Sequence, residues 1–332
     1  MNSLHAALEL WPLRSPFSIS RYTFTDSMVT TVRIANSSGA TGAGECEQHE
    51  WDADIARLQM DALGLVPGAR SYPAWLEGLS RTNVLQRLDR SPLRNAVDCA
   101  LWDLECKELG VRASALAGMP DAPVPVMDTL GIDTPEVMER AAQAHRGARW
   151  LKVKVGAKDG LDAARLEAVA AAVPGTQLLV DANCGWTPDS LATLLPLASR
   201  LGVRMIEQPM DPRFDTQMPK PPEGLAFCAD ESCLDRGSLP RVREHFQFIN
   251  IKLDKAGGLT ESLALRRAAE DMGLGVMIGM MSGTSLAVAP AFVLAQGLDV
   301  VDLEVGFLTR DRVPPMVIDK GMLQAPAAAL WG

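Results

Sequence analysis

The sequence predicts an α/β fold in which a closed (β/α) barrel follows an N-terminal α+β region. Two observations predict the barrel. Beyond about residue 120, short apolar strands alternate with alanine- or leucine-rich helical segments. The residues ending these strands, Lys154, Asp181, Glu207, Asp230, Lys252, Ile278 and Asp302, follow one another at intervals of 27, 26, 23, 22, 26 and 24. Each interval holds one βα unit, and eight strands at that period close on themselves instead of forming an open sheet. A third observation marks the boundary: the proline-rich stretch "GMPDAPVPVM" separates this rhythm from an earlier part that mixes alternating segments such as "MVTTVRI" with helical ones.

In the first part the clearest helix is "SPLRNAVDCALWDLECKELG". Ser91 is placed as N-cap, Pro92 as first helical residue and Gly110 as the stop, with Leu93, Val97, Ala100, Leu101 and Leu104 on one stripe. The barrel strands are then "PVPVMDTLG", "WLKVKVG", "QLLVDAN", "RMIEQPM", "LAFCADES", "QFINIKL", "GVMIGMM" and "VVDLEVG". The apolar run from Val276 to Ala295 is long enough to span a bilayer, but Ser282-Gly283-Thr284-Ser285 interrupts it and Pro290 follows. It reads as a buried strand, loop and helix, so no membrane partner is expected.

With 332 residues the chain can bury a sizeable core. Its net charge of −9, without any basic run, argues against nucleic acid as a partner. The six cysteines lack C-x-x-C spacing, and the N-terminus lacks a signal-peptide pattern, so reduced thiols and a cytoplasmic location are expected.

The strand "WLKVKVG" sets Lys152 and Lys154 side by side on one face. Taken alone this suits an exposed edge strand with protective lysines. Barrel geometry gives it another meaning, because strand ends converge on one mouth and strand n faces strand n+4. Asp181, Glu207 and Asp230 then form three neighbouring hard oxygen donors suited to Mg²⁺. Lys154 and Lys252 flank that site from opposite sides. Burial and the Lys152 ammonium are expected to lower the pKa of Lys154 towards that of a usable base. Two bases on opposite faces of one carbon, beside a metal, suit removal of a proton α to a carboxylate and its return from the other side through an enediolate.

The motifs "LKVKVG", "VDANCGWT", "IEQPM", "CADES" and "INIKLDKAGGLTE", in this order, resemble the enolase superfamily, within it the muconate-lactonizing subgroup and most of all the dipeptide epimerases. "LWPLRSPFSISR" and "RNAVDCALWDLECKE" are similar to that family's N-terminal capping domain. The resemblance implies a (β/α)7β-type TIM barrel with an N-terminal α+β capping domain. Residues 1–117 would form the cap, 118–308 the catalytic barrel, and 309–332 a segment packing back on the cap. It implies Lys154 and Lys252 as the acid/base pair, Lys152 as the lysine that polarises a substrate carboxylate, and Asp181, Glu207 and Asp230 as Mg²⁺ ligands. Lys252 is preferred over Lys255 as second base because Lys255 reads as a loop residue. Asn183 and Glu231 stand beside ligands and are expected to support them, Asn183 also to touch substrate.

Dipeptide epimerases carry a D-x-D motif on the eighth strand for the substrate's ammonium group. Here Asp302 matches and Glu304 departs, and the longer side chain is expected to crowd the N-terminal residue of a dipeptide. Arg21 lies where the cap of the family can meet a substrate side chain. The implied activity is Mg-dependent epimerisation of a dipeptide, with a homo-oligomer left open. An N-acyl amino acid racemase, an o-succinylbenzoate synthase or a cycloisomerase shares the lysines and metal, and a barrel that only binds remains a further alternative. A histidine base on the seventh strand is not expected, since His5, His49, His145 and His245 lie elsewhere.

Overall fold

The computed structural model describes residues 2–47 and 53–332, so His49 lies outside the described residues. Its N-terminal part is an antiparallel sheet of β1 (Ser3–Ser18), β2 (Thr23–Ala35), β3 (Thr41–Glu47) and β4 (Arg70–Ser71), ordered β3-β2-β1-β4. Alternation puts Leu4, Ala6, Val32 and Ile34 on one face, buried against Ala96, Val97, Ala100, Leu101 and Leu104 of the helix Pro92–Leu109. The predicted caps form: the Ser91 side chain accepts the Arg94 N–H, and Gly110 ends the helix at a φ of 66°. Helix and sheet approach so closely that a Cβ at Gly42 or Gly44 would lie 2.1 Å from a helix carbonyl oxygen.

The predicted first barrel strand divides in two. Its early part, β5 (Val124–Pro125), leaves the barrel, and β6 (Asp128–Leu130) begins it. β7 (Trp150–Lys154), β8 (Gln177–Asp181), β9 (Met205–Glu207), β10 (Ala226–Ala229), β11 (Phe248–Ile251) and β12 (Gly275–Ile278) follow in parallel and in sequence order. The eighth is shorter than "VVDLEVG" suggests, since only Val301 forms a bridge, to Ile278. It still joins both edges: Asp302 N–H donates to Ile278 O at 2.8 Å, and Met127 N–H donates to Val301 O at 3.0 Å.

Period-two alternation sorts the barrel residues into two layers of packing. Leu151, Val153, Val180, Ile206, Ile249 and Ile251 point outward into the main core with the surrounding helices. Met127, Leu179, Met205, Cys228, Met277 and Val300 point inward and form an apolar plug. Leu179, Met205, Cys228 and Val300 each stand two residues before Asp181, Glu207, Asp230 and Asp302, so the same inward face carries those carboxylates at the mouth.

The cap is fixed to the barrel through its long helix. Arg94 donates to the carbonyl oxygens of Gly257 and Ala256, each at 2.8 Å, and Asp98 accepts from the Thr260 N–H and hydroxyl at 2.8 and 2.6 Å. Near the other end, the hairpin β13 (Ile318–Asp319) and β14 (Met322–Leu323) pairs with β5, and the Trp331 indole N–H donates to Cys99 O at 3.0 Å. The apolar run resolves into β12, a loop and the helix Ser285–Leu294, and no helix among the described residues is long and apolar enough to cross a membrane.

Candidate active site

The register places Lys154 beside Asp181 and Asp181 beside Glu207, all at the C-terminal ends of their strands. Asp230 and Lys252 follow β10 and β11 directly, so the ends of β7 to β11 carry three buried carboxylates in succession, flanked on each side by a buried ammonium. Lys152 is fully buried, with its Nζ 2.6 Å from Asp302 Oδ2, 2.8 Å from Glu207 Oε2 and 3.0 Å from Asp181 Oδ2. Lys154 donates to Asp181 Oδ2 at 2.7 Å and to Asn183 Oδ1 at 3.0 Å. Lys252 donates to Asp230 Oδ2 at 2.8 Å. Buried charges persist only when paired in this way.

Lys255 differs from expectation. It lies in the short helix Leu253–Ala256, not in a loop, and its ammonium reaches Asp230 Oδ1 from behind and donates to Asp230 O at 2.5 Å. Asp230 is therefore gripped by two lysines. Burial pushes its carboxyl up, but Lys252 and Lys255 outweigh this and hold it far below the usual range. Burial likewise pushes Asp181 up, and Lys154 and Lys152 bring it down to about 2. At Glu207 burial prevails, reinforced by the charge of Asp181, and its carboxyl is raised.

The two other lysines at the mouth, Lys152 and Lys252, are both held charged. Burial alone would lower both, but Asp302, Glu207 and Asp181 hold Lys152 well above its ordinary value, and Asp230 and Glu207 do the same for Lys252. Four carboxylates at the mouth explain this, because their charges outweigh burial at both lysines.

Among the described residues, no three His, Cys, Asp or Glu side chains stand ready as a metal cage, because each carboxylate is turned onto a lysine. The donor chemistry nevertheless fits a hard divalent cation, with three carboxylates at adjacent strand ends. Glu207 Oε2 is buried without a hydrogen-bond partner; the Lys152 ammonium is near it but not aligned as a donor. That orphaned oxygen suits a ligand that needs no proton.

Across the mouth, Asp302 and Glu304 both turn to Thr129 in β6. Thr129 Oγ1 donates to Asp302 Oδ1 at 3.1 Å, and the Thr129 N–H donates to Glu304 Oε1 at 3.0 Å. Glu304 is thereby tied to the first strand while it lines the cavity. Burial and the charge of Asp302 push its carboxyl up to about 7. Both residues line a cavity of about 290 Å³ with Lys154, Thr129, Met280, Met281 and Phe17. Asn183 does not line it. Its side-chain oxygen accepts from Lys154 and its N–H donates to Asp181 Oδ1 at 2.9 Å, so it holds the lysine and the carboxylate in place. Arg21 is half exposed above the same corner, donating to Asn183 O at 3.3 Å, with Glu231 at 3.7 Å.

Sequence reasoning missed Thr129, Gln208 and Asn250. Gln208 has a φ of 31°, is fully buried, and its side-chain oxygen accepts the N–H groups of Asp230 and Ser232 at 3.0 Å each. Asn250 donates to Glu207 Oε1 at 2.7 Å. Gln208 directly follows Glu207, and Asn250 precedes Lys252 by two on the inward face; that placement was the available signal. The seventh strand ends in Ile278, and the described histidines make other contacts, His145 with Asp128 at 2.9 Å.

Comparison with known proteins agrees with this geometry. Residues 1–118 match the mandelate racemase / muconate lactonizing enzyme N-terminal domain, and residues 136–329 match the enolase C-terminal domain-like family. The chain belongs to this family. Among its members, L-Ala-D/L-Glu epimerase of Escherichia coli (strain K12) is 34% identical over 309 residues, 92% of this chain and 93% of that protein. N-acetyl-D-glutamate racemase of Pseudoalteromonas sp is 36% identical over 252 residues, 76% of this chain and 79% of the relative. An enolase family member of Agrobacterium tumefaciens with homology to dipeptide epimerases, solved with bound sodium and L-Ala-L-Glu, superposes with a TM-score of 0.92 at 36% identity, covering 100% of both chains. A dipeptide epimerase of Cytophaga hutchinsonii, complexed with Mg and D-Ala-L-Val, gives 0.85 at 26% identity, covering 98% of this chain and 93% of that one. The relatives with a named activity are epimerases and a racemase, and this family member is an isomerase with them.

Proposed function

We propose that the protein epimerises a dipeptide at the α-carbon of its C-terminal residue, L-Ala-L-Glu being the natural first substrate to try. The observation that carries this reading is the pair Lys154 and Lys252. They stand on strands two and six of an eight-stranded ring, hence on facing walls, each anchored by its own buried carboxylate. A carbon held between them can lose its proton to one and regain it from the other. In this reading Lys152, now paired with Asp302, turns to the substrate carboxylate, and Asp302 and Glu304, which line the cavity, receive the dipeptide's ammonium at its far end. Asp181, Glu207 and Asp230 would hold Mg²⁺, which supplies positive charge that competes with the lysines for those carboxylates and steadies charge developing on the substrate. The same reading divides the chain into a cap, 1–117, a catalytic barrel, 118–308, and a C-terminal segment, 309–332.

The likeness to N-acetyl-D-glutamate racemase favours a second reading, racemisation of an N-acyl amino acid by the same lysines. The test of the first is incubation of L-Ala-L-Glu with Mg²⁺ in D₂O, followed by mass gain and by chiral separation. Wild type should give both epimers, deuterated at one carbon. Lys154→Ala and Lys252→Ala should each abolish epimerisation and confine any residual exchange to one epimer, a different one for each variant. Full turnover by either variant would contradict the assignment.

A further inference from the structure

The loop after β12 forms one wall of the cavity through Met280, Met281 and Ser282, and Met280 Sδ also accepts the Glu304 N–H at 3.3 Å. What fixes this loop lies outside the barrel. Glu45 of β3 is buried with 1% of its surface exposed, and it reaches across to Thr284, which is fully buried. Glu45 Oε1 accepts the Thr284 N–H and Oε2 accepts the Thr284 hydroxyl, each at 2.7 Å. Ser27 of β2 adds a hydrogen bond from its hydroxyl to Ser282 O at 3.0 Å. The loop is shaped for this approach: a Cβ at Gly283 would stand 3.3 Å from Glu45 Oε1 and 2.8 Å from Ala287 Cβ.

A buried carboxylate needs a cation, and Arg312 of the C-terminal segment provides it. Its Nη2 donates to Glu45 Oε2 at 2.7 Å, to Thr31 Oγ1 at 2.7 Å and to Glu9 Oε2 at 2.5 Å, its Nε donates to Thr284 Oγ1 at 3.1 Å, and its guanidinium lies over the Trp11 ring. Three cap strands, the C-terminal segment and the loop after β12 therefore meet at one ion pair. Burying a carboxylate and a guanidinium costs more than an apolar contact would, so holding a defined geometry is the gain that accounts for them.

We propose that Glu45 and Arg312 are positioning residues: by clamping Thr284 they set the wall against which the N-terminal half of the substrate rests. This rests on the dipeptide reading. Disturbing the clamp should weaken binding at that wall while leaving the lysines and their carboxylates in place, so KM should rise with kcat little changed.

The test compares wild type, Glu45→Gln, Arg312→Met and Thr284→Val, with Thr284→Ser as the conservative control. Each is assayed on L-Ala-L-Glu and L-Leu-L-Glu with Mg²⁺. Expected are a KM at least about fivefold higher, a kcat within about twofold, and an altered preference between the two dipeptides, with Thr284→Ser near wild type. A purely structural role would lower kcat through loss of folded protein and leave KM and preference unmoved; that result in the variants that fold overturns the inference. Should Arg312→Met fail to fold, Glu45→Gln and Thr284→Val report on the same contact. A wild type inactive on both dipeptides overturns the epimerase reading and this inference with it, whereas an active wild type with unmoved variants overturns this inference alone.

Discussion

The Lys152 ammonium lies 2.6 Å from Asp302 Oδ2, which ties the second strand of the barrel to the eighth across the mouth. Asp181 and Glu207 contact the same nitrogen, so one buried cation serves three carboxylates, two of them fully buried.

Lys152→Met should accordingly be costly. Removing one member of a buried ion cluster strands the rest, at about 3–5 kcal/mol. Urea unfolding at pH 7 with a chelator should show a loss of that order, and Mg²⁺ should recover part of it by taking over the carboxylates. A loss below about 1 kcal/mol, typical of an exposed pair, would contradict the picture of an obligatory counter-ion.

Much of this site was legible in the sequence, because barrel topology converts a list of strand ends into neighbours. Lys154, Asp181 and Glu207 share a level through register alone. The path of a side chain beyond Cβ is a different matter. Glu304 turns onto the Thr129 N–H because Thr129 lies in the adjoining first strand, and no spacing within "VVDLEVG" reveals that partner. Lys255 reads as a loop residue in the sequence because its turn, Leu253–Ala256, is too short to show helical periodicity. The charge state of the lysines also depended on counting carboxylates from four strands at once.

Metal binding should show in stability as well as in turnover. A cation present at one hundred times its Kd adds about 2.7 kcal/mol to the folded state. Thermal or urea melts of the wild type should rise on adding Mg²⁺. Glu207→Gln, which keeps an oxygen for Asn250 but removes the charge beside the orphaned Oε2, should show little of the increase. An equal rise in both proteins would place the cation elsewhere.

The contact between cap and barrel should depend on pH through Asp98. Its carboxyl is buried, which raises it from 3.8 to about 6 although Thr260 donates to it twice. Between those two values the unfolded chain has released the proton and the folded chain retains it, so stability from this group is full below about pH 4 and is lost as pH rises through about 6. Asp98→Asn has no proton to release. Subtracting its unfolding free energy from that of the wild type should give a difference that falls by about 2 kcal/mol between pH 4 and pH 7. A difference flat with pH would mean that Asp98 is ionised in the fold without penalty.

The pair Asp302 and Glu304 decides between a free and an acylated substrate. Thr129 occupies one oxygen of each and Lys152 the other oxygen of Asp302, whereas Glu304, which also lines the cavity, keeps its Oε2 for a ligand. With its carboxyl at about 7, Glu304 is a poor anion below neutrality and a good one above it. An ammonium needs the ionised form, so kcat/KM for a free dipeptide should rise with pH through about 7, where it reports a group of the free enzyme. An acyl carbonyl needs the protonated form as donor and should show the opposite slope. Charge-assisted bonds to the ammonium are worth about 1.5–3 kcal/mol each, so N-acetylation of L-Ala-L-Glu should reduce kcat/KM at least about 100-fold, equivalent to about 2.7 kcal/mol. Glu304→Gln separates the cases, since an amide donates but carries no charge. It should lower kcat/KM for the free dipeptide about tenfold or more, flatten its pH dependence, and leave the acetylated compound within about threefold. An enzyme that prefers the acylated compound, and that Glu304→Gln improves on it, is an N-acyl amino acid racemase.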